Sequence, residues 1–511
     1  MISIGVRTVW RFTVFAGMLF SIWSVLSPTR AMLCAVFLCG IIMLRGFKGR
    51  EPIVKLCGMI KRRKCVVLGA VLALGIGLRI YYSLRYADLL DLANLRNDWI
   101  VLWQKATLFS EGDWPDNKSW TTIAFYATVI RLFGQNLHAA FVANGVIHVL
   151  IFLLSFRLGD RVRGFFCGML FASFVFLSPV FAVLVLRPAT EHLYVLFVLV
   201  AMNFAVECRR KVGAGRLVLV SAGFAASAYL AMLSRGEGIM LWMVVPLWLL
   251  ICHLGQWRRM VIVCVPMAFV AILLAGAAMG VNMRTSGVAT AFCSNDNLWP
   301  RLFGANENTR GRYAWRDKLM IFTRYKRDHP ECDWDRTMYR GRFPQRLVGG
   351  CPAVLVPYIE NEVRRRWSQM GLLRKFEFVC QKERIWQECG WDIALTHAVG
   401  NGSGRAFASR VIYDLLPSLV FLLSGVYCGR LMLKRGRCSR RELLLMPFIW
   451  MLLANMAILS IYEVAERYTI LEHVLWPLIA AAGVLEKWGG ALSGRCGFPL
   501  SDDPSDRLHM V

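Results

Sequence analysis

A chain of 511 residues with 57% hydrophobic, 12% aromatic and only 18% charged residues is too apolar for a soluble multidomain protein of this length. Its formal net charge of +27 would suggest nucleic acid in a soluble chain, but much of the Lys and Arg sits in short loops between apolar blocks, where it sets topology, so nucleic acid is discounted as a partner. The sixteen cysteines fall mainly inside apolar blocks, none with metal-ligand spacing, and no metal site is expected from them.

The first apolar stretch, Val9 to Leu26, has Arg7 and Arg11 at its start and no small-residue cleavage pattern after it, so it reads as an uncleaved span. Residues 1–64 form a two-span hairpin closed by a basic segment, Arg45 to Lys64, whose density of Lys and Arg marks it as cytoplasmic. The following spans alternate. Cys65 to Leu84 runs outward, Leu137 to Phe156 returns to Arg157, Arg161 and Arg163, Gly164 to Val185 runs outward, and Glu191 to Cys208 returns to Arg209, Arg210 and Lys211. Leu217 to Ser234, Gly238 to Leu254, Val261 to Val281 and Leu443 to Ser460 keep the rhythm, and Arg258, Arg259 and the basic run Arg430 to Arg441 fall on the same side as the earlier basic loops. The fold class is an all-α polytopic membrane protein with about 12 transmembrane helices, each near the ~20 apolar residues that cross a bilayer. Residues 65–281 form a transmembrane core with a first outer loop at 85–135, 282–405 a large extracytoplasmic loop region, 406–487 the C-terminal transmembrane helices and 488–511 a cytoplasmic tail. The large loop, far longer than the ~15 residues of an ordinary connection, is expected to be functional, and its Cys293, Cys332, Cys351, Cys380 and Cys389 would allow disulfides in an outer compartment.

Ionisable groups at a membrane boundary are costly unless paired or wetted, so their placement is informative. They gather on the outer side: Asp98 in Arg96-Asn97-Asp98-Trp99, Glu191 after Thr190, Arg235 and Glu237 between two spans, and Glu463, Glu466, Arg467, Glu472 and His473 around the turn into the last span. Each has a plainer account. Asp98 reads equally as a solvated loop carboxylate, Thr190-Glu191 as a helix cap with an acid in the first turn, and Arg235 with Glu237 as an interfacial ion pair. His138 and His148 read as packed within the fourth span. Convergence on one face is what favours a site.

At these residues the chain resembles the GT-C superfamily of membrane glycosyltransferases, in particular the branch of protein mannosyltransferases and lipid A aminoarabinose transferases, glycosyltransferase family 39-like. The pattern starts at Gly77-Leu78-Arg79 and continues through Asp98, Ala106, Glu111-Gly112-Asp113-Trp114, Tyr126 and Leu132-Phe133-Gly134. Thr190-Glu191, Arg235-Gly236-Glu237-Gly238 and Glu466-Arg467-Tyr468 with Pro477 complete it. The chain departs from the pattern in having Asp98-Trp99 where the family often has Asp-Glu, an aromatic displaced to Trp103, and no Pro before Phe125 or after Arg235.

The resemblance implies transfer of a sugar from a polyprenyl-phosphate carrier to an acceptor hydroxyl on a glycan, lipid or protein, at the outer face of the cell (inner) membrane, with inversion. Under that reading Asp98 is the general base supported by Glu191. Arg235, Arg467 and more weakly Arg79 meet the phosphate, with Glu237, Glu466, Tyr468 and His473 beside the substrate. No cofactor is implied beyond the lipid-linked sugar donor, a divalent metal being left open. The alternatives are an O-antigen ligase or polymerase, and a polytopic transporter or lipid flippase, which would more typically show paired half-repeats and broken helices near the midplane. The topology is tested by cysteine labelling in a variant cleared of native cysteines. A tag at Asn308 is expected to react with an impermeant reagent outside intact cells and one at Gly436 to stay unlabelled; labelling at Gly436 would overturn the orientation.

Overall fold

The computed structural model describes residues 10–19, 34, 59, 62–92, 97–113, 119–209, 213–253, 256–286, 291, 301–303, 305–309, 315–330, 347–348, 351–352, 355–388, 403–433, 440–461 and 471–495. Backbone N–H and C=O groups have no partner in hydrocarbon, so apolar blocks of this length satisfy them internally as helices. The helices that frame the site are α1 (Lys64–Arg85), α2 (Asn97–Glu111), α3 (Trp120–Phe133), α4 (Leu137–Arg163), α5 (Phe165–Phe176), α6 (Pro179–Leu184), α7 (Glu191–Cys208), α8 (Ala214–Ser234), α9 (Ile239–Cys252) and α10 (Trp257–Ser286). Beyond them come α11 (Trp315–Asp328), α12 (Val356–Gln369), α13 (Leu372–Glu388), α14 (Ser403–Leu433), α15 (Met446–Ile461) and α16 (Glu472–Arg495), with a two-residue antiparallel pairing of Leu347–Val348 and Cys351–Pro352. Six of the described helices are long and apolar enough to cross a membrane: α1, α4, α7, α8, α10 as Trp257–Arg284, and α14 as Leu415–Met432. Five shorter apolar helices lie among them. The many-span helical architecture matches expectation, and a dozen spans would have to draw on those shorter helices and on residues outside the description.

Burial ranks the spans. The apolar window of α7 is 78% buried and that of α8 61%, against 11% for α1 and α10, so α7 is the axis of the bundle and α1 and α10 lie on its flank. The core between them is built from Tyr194, Leu199, Phe224, Trp248 and Trp476, among others. The two ends of α7 carry opposite chemistry. At its C-terminal end the buried Glu207 pairs with Arg161 of α4 at 2.9 Å and with Arg216 of α8 at 2.7 Å, and at its N-terminal end Glu191 pairs with Arg235. Eighteen residues separate these ends by about 27 Å, the depth of a hydrocarbon core. The basic loops and the acidic candidates therefore sit at opposite ends of the same helices.

Two expectations are corrected. The single span over Gly164 to Val185 is two helices, α5 and α6, broken at Leu177 and Ser178. The cause is Pro179, which holds the preceding residue extended (Ser178, ψ 126°) and then serves as the first helical residue of α6. His138 is exposed rather than packed, because Asn136 caps α4 by accepting a hydrogen bond from the His138 N–H at 2.8 Å, which puts His138 in the open first turn. The segment between α1 and α4, expected as a first outer loop, carries α2 and α3, which share a small core of Leu102, Trp103, Ala106, Ile123, Tyr126 and Ile130, joined to the bundle through Trp99 and Phe125.

In the large loop region, α11 and α12 pack around Phe303, Ile321, Tyr325, Leu355, Ile359 and Val363. The cysteine side chains expected to pair there lie outside the described residues. At the centre is Glu362, fully enclosed, which accepts hydrogen bonds from Arg365 at 2.6 and 2.9 Å, Arg366 at 2.9 Å and Arg324 at 2.7 Å. Burial alone would raise its pKa, but the hydrogen bonds from Arg365, Arg366 and Arg324 win and hold it at about 2. The contribution of this carboxylate to stability is complete above its ordinary pKa of 4.5 and is lost as the pH falls towards 2. Glu362→Ala leaves three arginines around an empty position and is expected to cost about 3–5 kcal/mol in this subdomain. Hydrogen exchange should show it as faster exchange in α11 and α12 with the spans unchanged; unchanged exchange in those two helices would contradict the account.

Candidate functional site

The C-terminus of α8 and the N-terminus of α7 bring three of the expected residues together. Arg235, the residue after α8, leaves the helix in an extended conformation, and the short turn Gly236–Gly238 carries Glu237 back beside it. The turn lies flat on α8: a Cβ on Gly238 would fall 2.4 Å from the Met232 nitrogen, so only glycine fits. Arg235 then sits between two carboxylates. Its Nε and Nη2 donate to Glu237 Oε2 and Oε1 at 3.3 and 2.9 Å, a bidentate fork, while Nη1 donates to Glu191 Oε1. Both partners in the Glu191 pair are buried, so the charge of each stabilises the other where water does not. Counted as ionised groups, the cluster carries one positive and two negative charges.

Thr190 does not cap α7. Its backbone is helical, no side-chain cap bond forms, and its hydroxyl donates to Glu191 Oε2 at 3.2 Å, fixing the carboxylate from the other side. One turn further on, Tyr194 places its ring 5.9 Å from the Arg235 guanidinium carbon. The Tyr194 hydroxyl is buried and has no hydrogen-bond partner among the described residues.

The turn ahead of α7, residues 185–190, is pinned by side chains from three helices. The Tyr126 hydroxyl of α3 accepts from the Ala189 N–H at 3.1 Å and donates to Asn144 Oδ1 of α4 at 2.9 Å. Asn144 Nδ2 donates to the Val185 and Arg187 carbonyls, both at 3.1 Å. On this turn the Arg187 guanidinium lies over the Trp99 ring at 4.9 Å. Burial draws its pKa down to about 10, which leaves it charged at neutral pH. Trp99 lies in the first turn of α2, which therefore abuts the turn that leads into Glu191. The Asp98 side chain lies outside the described residues.

The other candidates lie elsewhere. Arg79 is buried on α1 against α4 and α5: it donates to the Gly75 and Phe176 carbonyls at 2.8 and 3.0 Å and to His148 Nδ1, and its guanidinium carbon is 4.0 Å from the centre of the Phe176 ring. His473 lines a cleft with Phe174, Ser178, Pro417 and Trp476, a group that shares no residue with the Arg235 cluster. Glu466, Arg467 and Tyr468 lie outside the described residues. Among the described residues no three His, Cys, Asp or Glu side chains are grouped as metal ligands. Sequence reasoning missed Arg187, Tyr194 and the Tyr126–Asn144 pair. The available signal was a polar pair inside an apolar span, Asn144 and His148, four residues apart and so on one helix face.

No protein-family model matches the sequence, and no curated protein matches it. Among solved structures, ArnT from Cupriavidus metallidurans bound to undecaprenyl phosphate is similar at a TM-score of 0.37 and 13% identity, over 82% of this chain and 78% of that one. The same protein in the apo state is similar at a TM-score of 0.32, again with 13% identity over 82% and 78% of the two chains.

Proposed function

We propose that this chain is a GT-C-like membrane glycosyltransferase that moves one sugar from a polyprenyl-phosphate carrier to an acceptor hydroxyl at the outer face of the membrane, with inversion. The observation that carries the reading is the buried Glu191–Arg235–Glu237 cluster, at the end of α7 opposite Glu207, with the turn leading into Glu191 held against Trp99 of α2 through Arg187. Departure of a phosphate needs positive charge near the leaving oxygens, and attack by a hydroxyl on the anomeric carbon needs a base. Asp98 is the base. Glu191 supports it, and its pairing with Arg235 holds both at a fixed depth. Arg235 and Arg467 meet the donor phosphate, and Arg187, charged and stacked on Trp99, joins them. The Tyr194 hydroxyl, without a hydrogen-bond partner among the described residues, is a donor and acceptor for a phosphate oxygen or a sugar hydroxyl. Glu237, Glu466 and Tyr468 complete the substrate side, while His473, in its separate cleft, is not part of it. The membrane is the inner one, and the acceptor is a glycan, lipid or protein.

The broken helix α5–α6 is a feature that transporters also carry, where unwound carbonyls coordinate an ion. Here the carbonyl at the break is occupied: Phe176 O accepts from Arg79. That favours the enzyme.

Asp98→Asn is expected to lower sugar transfer by about 10²- to 10⁴-fold while the protein still inserts and still binds its lipid-phosphate donor. Arg467→Ala is expected to weaken donor affinity as well as rate, because a charge-assisted contact to phosphate is lost. Donor binding and transfer measured in liposomes separate the two roles. Transfer near wild type by normally expressed Asp98→Asn would remove Asp98 as the base and turn attention to Glu191.

A further inference from the structure

A single line of hydrogen bonds runs from the flank of the bundle to the turn beside the site. Arg79 of α1 donates through Nε and Nη2 to His148 Nδ1 of α4, at 3.2 and 3.0 Å. His148 Nε2 lies 2.9 Å from His192 Nδ1, and His192 Nε2 lies 3.0 Å from the Arg187 carbonyl. The two imidazoles are buried and sit 5.0 Å apart.

Its direction follows from chemistry. A guanidinium only donates, so His148 Nδ1 must be the acceptor. The proton of neutral His148 is then on Nε2, which makes His192 Nδ1 an acceptor in turn. A carbonyl only accepts, so His192 carries its proton on Nε2. Every atom in the line is satisfied with both imidazoles neutral and in the same tautomer; a second proton on either ring would face a donor.

The anchoring end is equally specific. Gly75 and Arg79 are the buried residues of α1, and a Cβ on Gly75 would meet the Phe176 ring at 2.2 Å. Arg79 caps the C-terminus of α5 through the Phe176 carbonyl, where the helix dipole favours a cation. Among the described residues no carboxylate pairs with it. At the far end, His192 follows Glu191 directly, and the two side chains diverge by about 100° around the helix. One reaches across to α4 and the other to Arg235.

We infer that His148 and His192 are positioning residues. Relayed from Arg79, they lock the 185–191 turn so that Glu191 meets Arg235 and Arg187 meets Trp99, and they couple the seating of α1 to the geometry of the site. The inference rests on the reading of that site as the place of sugar transfer. It also explains why an otherwise lipid-facing helix carries a buried arginine.

The test uses the full-length protein in lipid nanodiscs. Glutamine can reproduce the role of His192, accepting through Oε1 from His148 and donating through Nε2 to the Arg187 carbonyl; leucine can do neither. His192→Leu is expected to lower kcat for transfer by about 10- to 100-fold with little change in donor KM, and His192→Gln to restore most of it. Hydrogen exchange should rise in peptides covering 185–191 in His192→Leu, stay unchanged along α4 and α8, and return in His192→Gln. Nitrogen NMR of labelled histidine should show both rings neutral with the proton on Nε2. Equal defects in the leucine and glutamine variants, loosening spread along α4 and α8, or a proton on either Nδ1 would overturn the inference. Failure of the functional reading is distinguishable: the turn would loosen and recover as stated while the wild-type protein transferred no sugar.

Discussion

An arginine enclosed among apolar helices persists only where both charge and hydrogen-bond partners surround it, and Arg235 has two carboxylates in that role. Glu191 stands at the start of the most buried of the six candidate spans, Glu237 on the turn that follows α8, and the guanidinium between them ties the two chain segments at one depth. Loss of either carboxylate would leave charge buried without its full complement. The arrangement therefore constrains structure and chemistry together: the charged residues of the proposed site are also those that hold the N-terminal end of α7 and the C-terminal end of α8 in register.

Around this cluster the structure invests polar groups in a turn. Tyr126 and Asn144 bind the backbone of residues 185–189, and His192 adds a second donor to the Arg187 carbonyl. A turn between helices would ordinarily be mobile, yet this one has its carbonyls and an amide held by side chains from α3, α4 and α7. Its products are a fixed Glu191 and an arginine stacked on Trp99. At the other end of α7, Glu207 with Arg161 and Arg216 performs the equivalent fastening without an adjoining acid-bearing helix, which distinguishes a structural ion pair from the candidate site.

Much of this was legible in the sequence because charge in an apolar chain is rare and expensive. The basic loops alone put Glu191, Arg235 and Glu237 at one end, and the structure brings these three into contact. The Arg235–Glu237 pair was legible from its spacing, but the Glu191–Arg235 pairing was not, since it joins positions 44 residues apart and depends on how α7 and α8 lie together. The break at Ser178 could have been read from Pro179, whose effect on the residue before it is local. The exposure of His138 follows from the Asn136 cap, also local. Arg187 carries no local signal in the sequence. Only the packing of α2 against the turn shows it beside Trp99, and only tertiary contact shows that His148 and His192 form a line rather than two packed histidines.

The proposed function is transfer of a lipid-carried sugar to an envelope acceptor. Mass spectrometry of cell-envelope glycans and polyprenyl-phosphate sugars, with and without the gene, tests it most directly. The account predicts that deletion removes one sugar from an envelope glycan, lipid or protein while its polyprenyl-phosphate-linked form accumulates, and that the wild-type gene restores both. Unchanged glycans with an unchanged pool of lipid-linked sugars would contradict it.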